Sequence, residues 1–414
     1  MRRVIVGLVL IVLVVGIALA GCAKPAPSPT PTPTPSPAKT LDIGVNATLT
    51  GPNAHLGHHI HNAILLAIDD QNAEGGVTIG GEKYLLNPVI RDNKFDLVIS
   101  KNVTEEMVYD KGIKVIAGPT IADAVGAQTV TEKNKVILLA AFAAVGGLCG
   151  PTKPYSFFPG GYPLLISVGG AAYIQEFYPE AKTVVATPAE IGDLSPFLDA
   201  TEIVCKRYGL DYVGFEKVPI TTTNFMPLVT RVLSRKPDII NLSSTGSAMA
   251  AGSPLFIKQL REAGFDGIIW CPAVPPPEAM EEIIPPKYLN KIITHDIVPD
   301  SPIVTQAYRD MYEGYVKKFG EEPIDVSGEM YGGMKPFFEF LNTQDTMDTT
   351  AWMECFAKYR WQSIWGFEGF WLGKPIYGID RVLIWGFWTS EWTDGKPETK
   401  WVPPTIPMDL FVEE

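Results

Sequence analysis

The sequence predicts an α/β protein of two lobes, each a parallel sheet flanked by helices. Three observations point there. Short apolar, β-branched runs alternate with segments of 3.6-residue periodicity along most of the chain, the pattern of successive βαβ units. About 375 residues follow a leader and a proline-rich stretch, more than one hydrophobic core ordinarily holds. Loops after the predicted strands combine glycine with hydroxyl residues, which lets a small molecule approach backbone amides and helix starts closely.

Taken from the amino end, Arg2 and Arg3 precede an uncharged apolar run from Val4 to Ala20. The run is shorter than the roughly 20 residues a membrane-spanning helix prefers, so 1–21 is expected to be a secretory signal peptide. It ends in Leu19-Ala20-Gly21-Cys22, which resembles a bacterial lipobox. That resemblance implies cleavage after Gly21 and acylation of Cys22, an anchor to which each buried methylene contributes about 0.8 kcal/mol. Residues 22–40 are then the lipidated cysteine and a tether, AKPAPSPTPTPTPSPAK, whose prolines remove the amides that a helix or a sheet ladder needs. Extended at about 3.1 Å per residue, the tether reaches on the order of 50 Å.

Over the full sequence, 46% hydrophobic against 19% charged residues excludes disorder for most of the chain. A net charge of −12 argues against nucleic acid as a partner. Besides Cys22 there are Cys149, Cys205, Cys271 and Cys355, too widely spaced for a metal motif. An exported protein permits disulfides among them, and small buried thiols are the alternative.

Strands are predicted at Leu41–Leu49, Leu85–Arg91, Lys114–Ala117, Val136–Phe142, Thr183–Thr187, Tyr212–Lys217, Asp238–Leu242, Gly267–Cys271 and Lys291–Thr294. Between them, Ile60, Ile64 and Ile68 line one helix face, and Ser195-Pro196 starts a second helix carrying Phe197, Leu198 and Ile203. A third runs from Pro254 to Gly264, a C-cap glycine. In such sheets ligands bind beyond the carboxyl ends of the strands. The loops there read TGPNAHLG from Thr50, GPTIADA from Gly118, AAFAAVGG from Ala140, TPAEIG from Thr187, SSTGS from Ser243 and CPAVPPPE from Cys271.

Thr50-Gly51-Pro52 with Gly57, Asp69-Asp70-Gln71-Asn72 with Gly75-Gly76, Gly118-Pro119-Thr120, Lys236-Pro237-Asp238 and Ala263-Gly264 follow one another in an order that resembles type 1 periplasmic binding proteins of the branched-chain amino acid and amide class. The resemblance implies two lobes joined by three crossovers, with a solute clamped between them. Lobe 1 is then 41–159 plus 297–374, and lobe 2 is 160–296 plus 375–414. It implies ligand contacts from Thr120, Ala141 and Phe142 in lobe 1, and from Glu190 and Thr245 in lobe 2. Glu278 would balance an amino group, and Tyr331, near Glu329, stands where family members place an aromatic facing the cleft, a surface or packing role being the alternative. The resemblance implies a small polar solute: an amino acid, an amide or a related carboxylate. Ala122 and the stretch Ala141–Ala144 stand where typical members place the hydroxyls that hold an amino acid carboxylate, a departure that leaves the choice among these open.

Four histidines, His55, His58, His59 and His61, cluster beside the TGP loop. On a helical wheel with Ile60 at zero, His61 falls near 100°, His58 near 160° and His59 near 260°. Only two could share a metal, and no cysteine or carboxylate is interleaved, so neither metal nor cofactor is expected. His61, at the edge of the apolar arc, is the histidine expected to meet the ligand, a neutral core histidine being the alternative. Eight of the nine tryptophans lie between Trp352 and Trp401 and are expected to pack the return segment, with Trp361 or Trp365 reaching the cleft mouth as the alternative.

No GxSxG, HExxH or GxxxxGK motif is present, so the chain is expected not to be an enzyme. The reading is an extracytoplasmic, membrane-anchored lipoprotein, a monomer that captures a small solute and hands it to the permease subunits of an ABC importer. Two rivals are a sensory receptor of the same fold and an anchored amide hydrolase using Glu190 or Glu278 as general base.

Overall fold

The computed structural model describes residues 39–51, 53–142, 147–160, 163–190, 194–243, 252–272, 277–295, 297–383, 388–402 and 408–410. Residues Lys39–Glu414 form one compact unit that contains two large sheets.

In the first sheet, β1 (Lys39–Ala47) is followed by α1 (Ala54–Ala73), a hairpin of β2 (Val77–Ile79) and β3 (Glu82–Asp92), and α2 (Leu97–Glu105). Then come β4 (Val115–Ala117), α3 (Ala122–Asn134), β5 (Ile137–Leu139) and β6 (Ser156–Phe157). The strand order is β2-β3-β1-β4-β5-β6, and all pairs but the β2–β3 hairpin are parallel. The hairpin turns on Gly80 and Gly81, at φ of 59° and 80°, the left-handed conformation that a two-residue turn requires.

The second sheet opens with α4 (Pro163–Phe177), β7 (Thr183–Ala186), α5 (Ser195–Arg207), β8 (Asp211–Phe215) and α6 (Met226–Ser234). It continues through β9 (Ile239–Asn241), α7 (Gly252–Glu262), β10 (Ile268–Cys271), α8 (Pro277–Ile283) and β11 (Ile292–Thr294). The chain then returns to α1 through α9 (Gln306–Phe319) and α10 (Asp325–Leu341), and α11 (Thr349–Phe356) follows. Two short ladders come next, β12 (Trp361–Gln362) with β13 (Glu368–Gly369) and β14 (Trp371–Leu372) with β15 (Val382–Leu383). The hairpin β16 (Thr389–Thr393) and β17 (Lys396–Trp401) then joins the second sheet antiparallel to β11. The order is β17-β16-β11-β10-β9-β7-β8.

The chain passes between the sheets three times: after β6, after β11 and after β15. The first and third passages lie side by side, since Phe158 N–H donates to Arg381 O at 2.8 Å and Leu383 N–H to Phe158 O at 3.0 Å. All nine predicted strands are present, most of them a residue or more shorter than expected, because pairing stops where loops turn away. Val136–Phe142 contracts to three residues. Strands β2, β6 and β12–β17 were not predicted; most are too short to show a period of two.

The core explains the helices. Ile60, Ile64 and Ile68 of α1 are buried as predicted, but so are His59 and Leu66, because α10 and α9 cover the side of α1 turned away from the sheet. On α5 the buried stripe is Ala200, Thr201 and Val204, and Ile203, predicted to pack, is 42% exposed. The tryptophans pack the return segment. Phe356 is fully buried and meets Phe157, Phe337, Phe340 and Trp371 at ring-centroid distances of 5.0 to 5.1 Å, with Trp361 stacked at 6.3 Å. Trp365 is buried against Gly332, where a Cβ would lie 2.5 Å from the ring.

Candidate functional site

A doubly wound sheet leaves a crevice where the connections leaving two adjacent strands diverge to opposite sides. In the first sheet β1 leads to β3 on one side, and β4, on its other side, leads to β5. The crevice therefore lies between the carboxyl ends of β1 and β4. The second sheet repeats the order as β8-β7-β9-β10, which places its crevice between β7 and β9.

Polar residues interrupt the buried strands at both places. In the first sheet Asn46, the penultimate residue of β1, is fully buried and donates to Ser100 Oγ and Thr104 Oγ1, both at 2.9 Å. Asn93 donates to Asn46 Oδ1 at 2.9 Å and to Asp123 Oδ2 at 2.8 Å, and accepts from Thr48 Oγ1 at 2.8 Å. Asp123, fully buried in the first turn of α3, accepts from Thr120 N–H at 3.0 Å and from Thr120 Oγ1 at 2.7 Å. Gly118 at φ 102° turns the chain out of β4, and a Cβ there would stand 3.2 Å from Asn46 O.

At the rim, Asp92 accepts from the amides of Leu49 and Lys94, each at 3.0 Å, and from the Thr50 hydroxyl. Burial pushes this carboxyl up, but those donors outweigh it and hold Asp92 below the usual carboxylate range. Ala141 and Phe142 extend past β5. Ala141 is fully buried, its N–H donates to Pro119 O at 2.9 Å, and its carbonyl accepts from Gly160 N–H at 3.0 Å. A glycine at 160 leaves room for Glu329 here, because a Cβ would fall 1.7 Å from Oε2 of that buried side chain and force it to shift.

In the second sheet Thr187 N–H donates to Asn241 O at 2.7 Å. Ser243 turns back onto Asn241 Oδ1 with its N–H at 2.8 Å and its hydroxyl at 2.7 Å. These two bonds tie the Asn241 side-chain oxygen to the turn that leaves β9. Asn241 is fully buried, and its amide nitrogen has no hydrogen-bond partner among the described residues. Glu190 is exposed, tied by its N–H to Val218 O at 2.9 Å, and Glu278 is exposed in the first turn of α8. Contact between the halves is made by His295 after β11, whose Nε2 lies 3.3 Å from Asp325 Oδ2 at the start of α10.

Thr120, Ala141 and Phe142 therefore gather at the strand ends of the first sheet, with Glu190 beyond β7 and Glu278 beyond β10 in the second. His61 does not join them. It is half-buried on α1 with Nδ1 3.0 Å from Asn62 Oδ1, and burial pushes its imidazole down. The buried histidine is His59, 2.9 Å from the Tyr315 hydroxyl. Burial lowers its pKa, with the charges of Glu321, Asp325 and Glu278 opposing. Tyr331 turns its hydroxyl to Asp70 Oδ2 at 2.7 Å, near the carboxyl end of α1 and so away from the strand ends. Thr245 and Cys22 lie outside the described residues.

Asp123, Asn93 and Asn241 were not singled out from the sequence. The available signal was an asparagine at the end of an otherwise apolar buried strand, seen at Asn46 and again at Asn241. A cavity of about 550 Å³ bordered by Lys236, Asp266 and Lys291 opens at the amino ends of β9–β11, opposite the crevices, and plays no part in them.

The family model for periplasmic binding proteins matches residues 40–374. The chain belongs to the periplasmic binding protein family. This periplasmic binding protein is similar in fold to an ABC-transporter solute-binding protein from Rhodopseudomonas palustris, solved with 3,4-dihydroxybenzoic acid (20% identity over 86% of this chain and 95% of that one, TM-score 0.66). It also resembles the branched-chain amino acid binding protein LivJ of Streptococcus pneumoniae, solved with isoleucine (19%, 87% and 98%, 0.66). An ABC-transporter substrate-binding protein from Sphaerobacter thermophilus superposes with a TM-score of 0.72 at 17% identity, over 87% of this chain and 96% of that one. As a periplasmic binding protein the chain is an extracytoplasmic solute receptor of the type I, two-lobed α/β class.

Proposed function

We propose that this periplasmic binding protein is the lipid-anchored receptor of an ABC importer, cleaved after residue 21, acylated on Cys22 and held off the membrane by the tether over 22–40. Its lobes are 41–159 with 297–374 and 160–296 with 375–414. The receptor is a monomer; a small polar solute (amino acid, amide or related carboxylate) binds between its lobes and passes to the permease. Thr120, Ala141 and Phe142 contact it from one side, and Glu190, Thr245 and Glu278 from the other, with His61 and Tyr331 as outlying candidates.

The observation that carries this reading is the repeated strand order of the two sheets, which gives each half a polar crevice at equivalent strand ends. A solute touching both crevices favours the closed arrangement by its differential affinity. The three chain passages are where such a motion is absorbed.

A thermal-shift screen of small polar solutes, followed by small-angle scattering on the purified chain, tests it. A specific solute at 100 times its Kd stabilises the fold by about 2.7 kcal/mol and reduces the radius of gyration. Binding with no change in radius would remove the closure mechanism. Turnover of amides that is lost in Glu190→Gln or Glu278→Gln would replace the receptor by a hydrolase. Radiolabelled palmitate incorporation that disappears in Cys22→Ser tests the anchor, and uptake of the solute in cells lacking the chain separates transport from sensing.

A further inference from the structure

The turn between β3 and α2 is strained, and the strain bears on the choice of solute, given the receptor reading above. Lys94 and Phe95 stand consecutively in the left-handed region, at φ of 57° and 60°, where the Cβ of an ordinary residue crowds its own backbone. Of the eight non-glycine residues with positive φ among those described, seven are polar or charged, and Phe95 alone is apolar. Crevice residues hold the turn in place. Asp92 Oδ1 accepts from Lys94 N–H at 3.0 Å, Asn93 Oδ1 from Phe95 N–H at 2.8 Å, and Asn93 O from Asp96 N–H at 3.0 Å. Asp96 then caps α2, accepting from the amides of Val98 and Ile99 at 2.8 Å each.

Core packing does not account for the ring. Phe95 is half-buried, yet it belongs to neither hydrophobic core and packs against neither. Phe142, on the opposite flank of the crevice after β5, is half-buried too but packs on the first core. The turn itself lies at the crevice. Asn93, two residues before Phe95, bonds to Asn46 of β1 and to Asp123 of α3, and a Cβ on Gly51, in the loop after β1, would stand 3.3 Å from Lys94 O. Backbone strain of this kind persists where a site uses it. A phenyl face without a core to cover it gains from an apolar group laid against it, and an aromatic group adds ring–ring attraction.

We propose that Phe95 determines specificity: its ring is an apolar wall beside the polar crevice between β1 and β4, and an alkyl or aryl group of the solute packs against it while the polar head group occupies the crevice.

Calorimetric titration of the purified chain tests this with three series that share a head group and grow in apolar area: alanine, leucine and phenylalanine; their amides; and acetate, 4-methylpentanoate and benzoate. In a responding series the larger members are expected to bind at least about tenfold more tightly than the smallest, and the alkyl and aryl arms show which group the wall takes. Phe95→Asn should erase most of that preference and, because asparagine accepts the left-handed conformation, hold or raise the melting temperature. Phe95→Leu, which keeps an apolar wall, should retain the preference for the alkyl member. A responding series without a preference for size, or a preference that survives Phe95→Asn, overturns the inference and leaves the receptor standing. A Phe95→Asn chain that melts several degrees lower also overturns it, because the ring would then be a packing residue. Silence of all these probes, while the wider thermal-shift screen finds only solutes without an apolar group, overturns it as well. If that screen finds no solute at all, the receptor reading falls and this inference falls with it.

Discussion

Replacing Asp123 by asparagine or alanine separates two roles that the wild-type carboxylate combines. Its Oδ2 accepts from Thr120 N–H at 3.0 Å and Asn93 Nδ2 at 2.8 Å, and its Oδ1 accepts from Thr120 Oγ1 at 2.7 Å. An asparagine with its oxygen at the Oδ2 position keeps the first two bonds. Its nitrogen donates to Thr120 Oγ1, so three bonds survive with the third reversed. The loss is the charged character of those bonds, about 1 kcal/mol each, offset in part because no anion is then buried, and the net cost should be about 1–3 kcal/mol. Alanine leaves the amide of Thr120 and the side chain of Asn93 without an acceptor in a fully buried place, at about 1–3 kcal/mol each, and the threonine hydroxyl must turn elsewhere. Its cost should therefore be about 3–6 kcal/mol. Urea unfolding followed by tryptophan fluorescence measures both, with the midpoint shifting at constant m. The expected order of stability is wild type, Asp123→Asn, Asp123→Ala. Alanine within about 1 kcal/mol of wild type would refute the reasoning, because it would mean that the buried donors find other partners.

Three further outcomes follow from particular contacts. Gly160→Ala forces a methyl group to 1.7 Å from Glu329 Oε2 and should destabilise the fold by about 1–3 kcal/mol through overpacking; pairing it with Glu329→Ala should recover part of that loss in a double-mutant cycle. Burial pushes the thiols of Cys149 and Cys205 up to about 12, Cys271 is also buried, and none of the four described cysteines is disulfide-bonded. Alkylation of the folded chain at pH 8 should therefore label the exposed Cys355 alone, and rapid labelling of a second of the four would contradict the packing. His59 resists protonation in the native state, chiefly through burial, so the unfolded chain binds the extra proton near pH 6.5 and the native chain only at lower pH. The corresponding stability is complete above pH 6.5 and is lost as pH falls toward the native value. Melting temperature should decline from pH 7 to pH 5, and His59→Gln should flatten that decline; an identical slope in the variant would show that the burden lies elsewhere.

The lines of inference differ in reach. Strand alternation and helix periodicity are local properties, each set by side chains a few residues apart, and they sufficed for the α/β class and nine strands. The packing of the tryptophans was also legible, because large rings are buried wherever a core is available. His61 and Ile203 show where local reasoning stopped. A helical wheel assumes one buried face, but α1 is covered on both sides, by the sheet and by α9 and α10, so His59 is buried at the angle that should have faced water. Tyr331 likewise follows the long-range pairing of α10 with α1, which joins residues about 260 positions apart.

The sequence by itself determined which segments become strands and helices, and that the loops at their carboxyl ends are small and poor in positive charge, because these are matters of composition and period. Only the tertiary structure decided the strand order, and with it which loops face one another. It alone decided that Asn93, which follows β3, joins Thr120 and Asp123, which lie three residues apart where β4 passes into α3, in one buried hydrogen-bond network. Hydrogen bonds are directional and close only when both partners are brought within about 3 Å. The bond from Asn93 Nδ2 to Asp123 Oδ2, across 30 positions, therefore exists only because the fold brings the loop after β3 against the start of α3.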